Sequence, residues 1–336
     1  MWTEERLNKM LTTPSEALSV ELGRLEGDIL VLGAGGKMGP TLCVLAKNAL
    51  RAAGVEKRVI AVSRFSDPLV VELLRENGVE MISADLLAPG ALDSLPDAEN
   101  VIYMAGKKFG TDGNEYATWA MNTWLPSRVA ERYQNSRIVV FSSGNLYPKV
   151  GVHSGGATEE TRTEPVGEYC MSCQGRERMF EYAAKTYGTR VAVYRLNYAV
   201  DLRYGVLYDM AHNILEGKPI SITTPSFNCI WQANEAALRL LGHASAEVFT
   251  LNVTGPETAG VQETAKKLGA LLGREPIFTG EASDTAYLNN AGKMFRLFGY
   301  PTVPLETLIE WQAQWILDGG RALGKPTHFE ERKGSY

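Results

Sequence analysis

The fold of this chain is decided by one stretch near its start, Gly33-Ala34-Gly35-Gly36-Lys37-Met38-Gly39. The stretch follows the apolar run Asp28–Leu32 and precedes a helical pattern that begins near Pro40. A strand, a glycine-rich turn and a helix in this order are typical of a dinucleotide-binding unit. The glycines allow the backbone to approach a pyrophosphate, and the first N–H groups of the helix and its dipole attract the phosphates. The spacing G-x-x-G-x-x-G therefore predicts a dinucleotide site, with a purely structural turn as the alternative.

Beyond this stretch, apolar runs of strand length alternate with helical patterns. The predicted strands are Asp28–Leu32, Arg58–Val62, Glu80–Ser83, Asn100–Met104, Arg137–Phe141 and Arg190–Arg195. The predicted helices are about Pro40–Ala53, Pro68–Asn77, Glu115–Tyr133 with a kink at Pro126, Glu168–Tyr187, Met210–Leu215, Asn234–Leu241, Val261–Leu272 and Leu305–Leu317. This alternation predicts an α/β fold, a Rossmann-type doubly wound parallel sheet with helices on both faces. A ligand is then expected at the carboxyl ends of the strands.

The chain divides into four predicted regions. Residues 1–27 form a helical extension, residues 28–200 a dinucleotide-binding Rossmann domain, and residues 201–318 mainly a smaller substrate-binding lobe. The regular alternation fades after Asn197, and an extended run at Val248–Val253 leaves open that late strands return to the sheet. Residues 319–336 contain several glycines and a run of charges, so they are predicted to be a solvated tail.

Composition excludes several classes of protein. The 336 residues are 45% hydrophobic and 22% charged, as in soluble globular proteins. A net charge of −5 argues against a general nucleic-acid surface or an anionic-membrane surface. No apolar run reaches the roughly 18 residues that span a bilayer. The N-terminus lacks the apolar core of a signal peptide, so a cytoplasmic location is predicted.

The metal and thiol signals of the sequence are weak. The four histidines have no spacing typical of a metal ligand set, so no metal is predicted. Cys170 and Cys173 form a C-x-x-C pair, but no thioredoxin-like strand-to-helix turn precedes it. The pair is therefore interpreted as reduced thiols on a helix, which suits a reducing compartment.

The end of the second predicted strand indicates which dinucleotide is bound. An acidic residue there would accept hydrogen bonds from the ribose hydroxyls of NAD. The chain instead has Ser63-Arg64, and a guanidinium with a hydroxyl suits a 2′-phosphate. Lys37 could add to this phosphate site, whereas a solvated Arg64 with Asp67 turned towards the ribose is the alternative. The sequence thus favours NADP over NAD.

Four further motifs occur in a definite order along the chain. Asp85-Leu86 follows the third predicted strand, and Met104-Ala105-Gly106-Lys107-Lys108 follows the fourth. Phe141-Ser142-Ser143-Gly144-Asn145-Leu146-Tyr147 ends the fifth, and Tyr169 comes near the start of the next helix. Together these motifs resemble the extended short-chain dehydrogenase/reductase superfamily, in its NAD(P)-dependent epimerase/dehydratase branch. The resemblance covers about residues 28–317 and is weakest in the last third.

The resemblance implies roles for individual residues. Ser143 would hydrogen-bond the substrate oxygen, Tyr169 would transfer the proton, and Lys108 would reach the cofactor as a third catalytic residue. It implies cofactor contacts at Gly33, Gly36, Lys37, Met38, Gly39, Ser63, Arg64, Asp85, Leu86, Ala105, Gly106, Lys108, Asn122, Tyr169 and Leu196. It implies substrate contacts at Asn145, Tyr147, Asn197, Tyr198, Arg203 and Tyr204. It also implies a homodimer, with the helix that carries Met179, Phe180, Ala183, Ala184 and Tyr187 at the interface or, alternatively, in the intrachain core.

The catalytic motif of this chain departs from the family pattern. In the family's Tyr-x-x-x-Lys motif, the lysine lowers the pKa of the tyrosine and holds the nicotinamide ribose. Here Cys173 stands at the lysine position, and the nearest downstream cation is Arg176. Three interpretations stay open: a displaced cation such as Lys108 and the oxidised nicotinamide activate Tyr169, another base serves a different reaction, or the fold only binds a nucleotide. The first is favoured, because a nearby opposite charge lowers the pKa of a phenol.

The predicted function follows from these motifs. The chain is expected to be an NAD(P)-dependent oxidoreductase or epimerase acting on a hydroxyl or carbonyl of a carbohydrate-type substrate. The alternative is a catalytically inactive or regulatory NAD(P)-binding protein of the same fold. Gly144-Asn145 replaces the Asp-Glu pair of the 4,6-dehydratases, which argues against sugar-nucleotide dehydration. The altered segment 227–236 argues against a standard UDP-sugar substrate.

Overall fold

A parallel sheet of seven strands forms the centre of the protein. The computed structural model describes residues 1–325 and 327–334. The strands are β1 (Ile29–Leu32), β2 (Val59–Ser63), β3 (Glu80–Ser83), β4 (Asn100–Tyr103), β5 (Arg137–Ser143), β6 (Arg190–Leu196) and β7 (Phe249–Val253). Their spatial order is β7-β6-β5-β4-β1-β2-β3, and every neighbouring pair is parallel. The predicted Rossmann-type α/β fold is confirmed, and β7 shows that a strand from residues 201–318 lies in the sheet.

Helices cover the sheet and build the region beyond it. They are α1 (Glu4–Thr12), α2 (Glu16–Arg24), α3 (Gly39–Ala52), α4 (Pro68–Glu76), α5 (Glu115–Trp119), α6 (Leu125–Arg132), α7 (Gly167–Tyr187), α8 (Val206–Glu216), α9 (Ala233–Arg239), α10 (Val261–Leu272), α11 (Gly292–Phe298) and α12 (Leu305–Leu317). Short antiparallel contacts join Val150–Gly151 to Thr285–Ala286 and Ser226–Phe227 to Ala259–Gly260, and a parallel one joins Ile220–Ser221 to Phe278–Thr279. Among the described residues, no helix is both long and apolar enough to cross a bilayer.

The sheet is buried on both faces because its strands are apolar at consecutive positions. In β1, Ile29 and Val31 belong to the cluster on one face, and Leu30 and Leu32 belong to the cluster on the other. This is the alternation of side chains expected for a strand between two helical layers. The two layers fix the carboxyl ends of β1, β4, β5 and β6 next to each other, where the candidate site lies.

The helix predicted over 115–133 is interrupted by a π-helical turn that positions Asn122 beside the site. Instead of a simple kink at Pro126, a π-helical turn over Ala120–Trp124 separates α5 from α6. The Leu125 N–H donates to the Ala120 carbonyl, one residue further back than in an α-helix. Pro126 has no N–H to donate and stands in the first turn of α6, where none is needed. The turn carries Asn122 inwards, where it is fully buried.

The tail predicted as solvated is packed on the protein. The Phe329 ring is buried in a second apolar cluster that α8, α10 and α12 share with Trp2 and Leu7 of the N-terminal region. The Thr327 N–H and hydroxyl both donate to Asp209 Oδ2, at 2.7 and 2.5 Å. The prediction of a solvated tail was wrong, because one aromatic side chain and several backbone groups suffice to hold the segment.

The stripe on α7 packs mainly inside the chain. Phe180, Ala183 and Ala184 are buried in the cluster beneath the sheet, so the intrachain alternative describes them. Tyr187 is exposed, as is Tyr182 on the same helix. A homodimer remains a prediction.

Candidate functional site

The glycine turn after β1 leaves room where a pyrophosphate would lie. Gly33 has a φ of +92°, and a Cβ there would be 2.5 Å from the backbone N of Ala105. A Cβ at Gly39 would be 2.3 Å from the carbonyl oxygen of Ala34. A Cβ at Gly36 would make only an ordinary van der Waals contact, 3.7 Å from the carbonyl oxygen of Gly33. Because no described side chain caps the N-terminus of α3, its first N–H groups suit a phosphate.

A cavity of about 310 Å³ opens at the carboxyl ends of the strands beside this turn. It is walled by the glycine turn, the segments after β4, β5 and β6, the start of α7, and one tail residue, Thr327. Of the predicted site residues it brings together Gly33, Gly36, Lys37, Met38, Gly106, Lys108, Ser143, Asn145, Tyr169, Leu196, Asn197 and Tyr198. The predicted phosphate turn and the predicted acid/base residues thus share one cavity.

The residues predicted near the adenosine lie beside the turn rather than among those that line this cavity. A Cβ at Gly35 would be 2.5 Å from Ser63 Oγ, so the Ser63 hydroxyl faces the turn. Arg64 is exposed and, within the described parts of the chain, forms no ion pair. Asp85 is exposed and accepts the N–H of Leu87, while Leu86 is buried in the sheet cluster.

Ser143 and Tyr169 face the same cavity from different elements. Ser143 ends β5, and its hydroxyl accepts the N–H of Asn145 at 3.2 Å. Tyr169 lies in the first turn of α7, where its hydroxyl donates a hydrogen bond to the sulfur of Cys173 one turn later. Burial, followed by the neighbouring Cys173, raises the pKa of Tyr169 well above its usual value. The Cys170 and Cys173 thiols are free and buried, and burial raises the pKa of both.

Two lysines bring positive charge to the mouth of the cavity. Lys37 Nζ donates to the carbonyl of Lys325 at 2.7 Å, and Lys108 Nζ donates to the carbonyl of Thr327 at 3.3 Å. Lys108 Nζ also lies 5.8 Å from the centre of the Tyr169 ring. Burial lowers the pKa of each lysine to about 8. Both ammonium groups therefore donate hydrogen bonds to carbonyl groups of the tail.

Asn122 connects the elements around the cavity floor. Its side chain accepts the N–H of Lys107 and donates to the Lys107 carbonyl, both at 2.8 Å, and it donates to Ser172 Oγ at 3.0 Å. It also accepts from Arg176 Nη2 at 2.8 Å. Asn122 therefore lies behind the residues that line the cavity. Ala105 and Gly39 also lie outside the cavity lining, where Ala105 is close to Gly33 and Gly39 is close to Ala34.

The predicted substrate residues divide into two groups. Asn145, Asn197, Tyr198 and Tyr204 line the cavity. Tyr147 is buried, donates to Asn252 Oδ1 at 2.8 Å and accepts from an arginine at 2.7 Å. Arg203 lies outside the cavity, because its guanidinium pairs with the carboxylate of Asp201 at 2.6 Å and with an N-terminal glutamate at 3.1 Å.

Several cavity residues were not predicted from the sequence. Phe109 and Thr327 line the cavity from a loop and from the tail. Neither belongs to a periodic pattern, so no signal in the sequence marks them. Arg176 also lines the cavity, and its seven-residue spacing from Tyr169 on α7 could have indicated it. Within the described residues, no group of three or more His, Cys, Asp or Glu could hold a metal ion.

Comparisons with known proteins agree with this geometry. The model of the NAD dependent epimerase/dehydratase family matches residues 29–244, more than half of the chain. No curated protein matches. Among solved structures, MoeE5 in complex with UDP-glucose and NAD is 20% identical with a TM-score of 0.70. UDP-glucuronic acid 4-epimerase from Bacillus cereus in complex with NAD is 18% identical, also at 0.70. Each alignment covers 87% of this chain and 99% of the other.

A third solved structure extends the range of activities on this fold. It is dTDP-glucose 4,6-dehydratase from Bacillus anthracis in complex with NAD, 18% identical with a TM-score of 0.72 over 87% of this chain and 97% of that chain. At these identities the likeness shows the fold alone.

Proposed function

The chain belongs to the NAD-dependent epimerase/dehydratase family, and we propose that it is an NAD(P)-dependent oxidoreductase or epimerase for a carbohydrate-type hydroxyl or carbonyl. The observation that carries the proposal is the shared cavity, in which Ser143 and Tyr169 face the space beside the glycine turn. The lack of close contacts at Gly36, and the start of α3 that no described side chain caps, fit the pyrophosphate of a dinucleotide.

The residues of the cavity divide the chemical work. A bound nicotinamide supplies the acceptor or donor of the hydride. Tyr169 exchanges the proton with the substrate oxygen, and Ser143 holds that oxygen by a hydrogen bond. Because burial raises the pKa of Tyr169, a cation must act on it before it can work near neutral pH. Lys108 stands near its ring and is one candidate for that cation.

For the cofactor we propose NADP, with NAD as the alternative. Arg64 is exposed and free of carboxylate partners among the described residues, and Ser63 faces the glycine turn. A guanidinium in this place pairs well with a 2′-phosphate. The neighbouring structures are complexes with NAD, so the comparison of dissociation constants for NADPH and NADH is decisive. Tighter binding of NADH, or an Arg64→Gln variant that leaves NADPH binding unchanged, would overturn the choice of NADP.

The cavity suits a neutral, hydroxyl-rich substrate. Asn145, Asn197 and Tyr198 offer amide and phenol groups that pair with sugar hydroxyls. Arg203 is already paired with Asp201 and is not available for a substrate diphosphate. A substrate panel should therefore contain free sugars as well as the UDP-glucose and UDP-glucuronic acid found in the neighbouring structures.

The Tyr169→Phe variant tests the proposed chemistry. Removal of the hydroxyl should lower kcat at least a hundredfold, since general acid–base catalysis contributes about 10² to 10⁴, while cofactor affinity stays within about threefold. Tyr182→Phe, an exposed tyrosine on the same helix, is the matched control. Full turnover in Tyr169→Phe would refute the role of this residue.

The second candidate function is a catalytically inactive or regulatory NAD(P)-binding protein. It is favoured by one observation, the hydrogen bond from Tyr169 to the neutral thiol of Cys173. Binding of NADPH or NADH without hydride transfer to any member of the substrate panel would support it. Measured turnover would exclude it.

We also propose that the protein forms a homodimer through the outer faces of α5, α6 and α7. Trp119, Trp124 and Tyr182 are exposed there, and large exposed aromatic side chains mark interaction surfaces. Light scattering of the purified protein should give twice the mass of one chain. A monomer at micromolar concentration would refute the proposal.

A further inference from the structure

Position 173 of this chain holds a thiol one turn after the tyrosine of the cavity. Cys173 is fully buried one turn after Tyr169, and its thiol accepts the hydrogen bond of the Tyr169 hydroxyl. Burial raises the pKa of this thiol, so Cys173 is neutral near pH 7. A neutral partner cannot stabilise a phenolate, whereas a cation within a few ångströms can.

Arg176 lies on the same face of α7 as these two residues. Positions 169, 173 and 176 are spaced by four and three residues, which places their side chains on one side of a helix. Arg176 is 5% exposed and lines the cavity together with Tyr169. Its charge acts on the phenol and opposes the effect of burial on the Tyr169 pKa.

The surroundings hold the Arg176 guanidinium in one place. Nη1 donates to the carbonyl of Phe141 at 2.6 Å, and Nη2 donates to Asn122 Oδ1 at 2.8 Å. Gly106 leaves room for the guanidinium, since a Cβ at Gly106 would lie 2.8 Å from Nη2. The position of the guanidinium therefore depends on Gly106, on Asn122 in the π-helical turn and on Phe141 in β5, which come from three separate parts of the chain.

The charge of Arg176 is not cancelled by an ion pair. Among the residues that the structure describes, no carboxylate lies within 4.0 Å of its guanidinium. The adjacent Glu177 instead binds Arg195 at 2.7 Å. Within the described part of the chain, the buried Nε of Arg176 has no hydrogen-bond partner. A buried cation without a counter-ion is costly, and its field acts strongly on neighbours in a low dielectric.

Lys108 is less suited to this task. Its ammonium donates to the carbonyl of Thr327 in the tail, at the mouth of the cavity. Burial lowers its pKa to about 8, so its charge is lost in mildly basic solution. A guanidinium keeps its charge throughout this range.

We propose that Arg176 is the positioning residue that supplies the positive charge for Tyr169, in place of the cation missing at Cys173. The proposal rests on the proposed function, because a charged partner is required only if Tyr169 exchanges protons. Arg176 acts through Tyr169 and through the floor formed by Asn122.

The experiment measures the ionisation of Tyr169 without relying on turnover. Ultraviolet difference titration of the whole chain, with Tyr169→Phe subtracted, isolates the tyrosinate signal of this residue. Loss of one opposite charge shifts a pKa by about 1 to 3 units, so Arg176→Gln should raise that of Tyr169 by at least about 1 unit. Lys108→Met should change it less, and Arg178→Gln, an exposed arginine on the same helix, should leave it unchanged.

A rescue variant separates the charge from the fold. Cys173→Lys combined with Arg176→Gln places a cation one turn after Tyr169, and it should restore the titration even if Arg176→Gln alone is less stable. Arg176→Lys should preserve most of the effect. A larger shift in Lys108→Met than in Arg176→Gln, or no rescue by Cys173→Lys in folded protein, would overturn the proposal.

The kinetic readout distinguishes this proposal from the proposed function. If Arg176 supplies the charge, kcat should not fall as the pH rises through about 8, where Lys108 loses its proton. If Tyr169→Phe keeps full turnover, the proposed function fails, while the titration still reports whether Arg176 acts on Tyr169.

Discussion

Cofactor affinity should depend on pH through Lys37 and Lys108. Burial lowers the pKa of each to about 8. Both are therefore mostly charged at pH 7 and mostly neutral at pH 9. Because a phosphate is bound by the ammonium form, affinity should be highest below about pH 8 and should fall as the pH rises through it.

The size of this effect follows from the protonated fractions. For a group of pKa about 8, the charged fraction falls about tenfold from pH 7 to pH 9. If each lysine must be charged for tight binding, the dissociation constant should rise about tenfold for one lysine and about a hundredfold for both, since each tenfold step corresponds to about 1.4 kcal/mol. The tail carbonyls of Lys325 and Thr327 accept hydrogen bonds from the two ammonium groups, so these bonds are exchanged when the ligand binds.

NADH is the suitable probe, because its diphosphate keeps a constant charge over this range, whereas a 2′-phosphate titrates near pH 6. Fluorescence titrations between about pH 7 and pH 9 give the dissociation constants. Lys37→Met and Lys108→Met should each remove about half of the logarithmic change, and the double variant should remove nearly all of it. Lys185→Met, an exposed lysine at the end of α7, is the control. Equal affinity at both pH values in the parent protein would refute the reasoning.

Two further predictions concern stability. Gly33→Ala should lower the free energy of unfolding by at least about 2 kcal/mol and abolish NADH binding, because its Cβ would meet backbone at 2.5 Å in addition to the cost of about 1–2 kcal/mol for a positive φ. At Gly54, φ is +68° and no described atom lies within 4 Å of an added Cβ. In urea unfolding, Gly54→Ala should therefore lower the free energy of unfolding only by the cost of the positive φ, about 1–2 kcal/mol. Glu177→Gln should lower the free energy of unfolding by about 3 kcal/mol, because it leaves the buried Arg195 without its counter-ion. A loss below about 1 kcal/mol would contradict the role of Glu177 as that counter-ion. The exposed Glu306 forms an ion pair with a lysine, and its change to Gln should lower the free energy of unfolding by less than about 1 kcal/mol.

Local patterns in the sequence predicted the regular elements well. The bounds of β3 (Glu80–Ser83), α10 (Val261–Leu272) and α12 (Leu305–Leu317) agree with the predicted ones, because apolar periodicity and adjacent turn residues define both ends of each element. The family was predicted correctly from motifs in a fixed order. These motifs are informative because they correspond to close contacts, such as that of Gly33 with Ala105.

Long-range contacts could not be predicted in the same way. The return of Phe249–Val253 to the sheet depends on which edge is open, and no local pattern encodes that choice. The tail was assigned to solvent because its composition is polar, yet Phe329 is buried in the second apolar cluster and Thr327 donates two hydrogen bonds to Asp209. The sequence identified Arg176 as the nearest downstream cation. The residues that hold its guanidinium in place are Gly106, Asn122 and Phe141, which are far apart in the chain.

The position of β7 has a consequence for how the chain is made. β6 (Arg190–Leu196) is largely buried, and its outer edge pairs with β7 and, at Val191, with Ser245, both of which follow α8 and α9 in the chain. During synthesis from the N-terminus, β6 emerges before its partner and exposes unpaired N–H and carbonyl groups on an apolar strand. A fragment that ends at residue 200 should therefore self-associate, which sedimentation would detect. The nucleotide-binding half of this protein thus depends for its solubility on a strand that the ribosome delivers later.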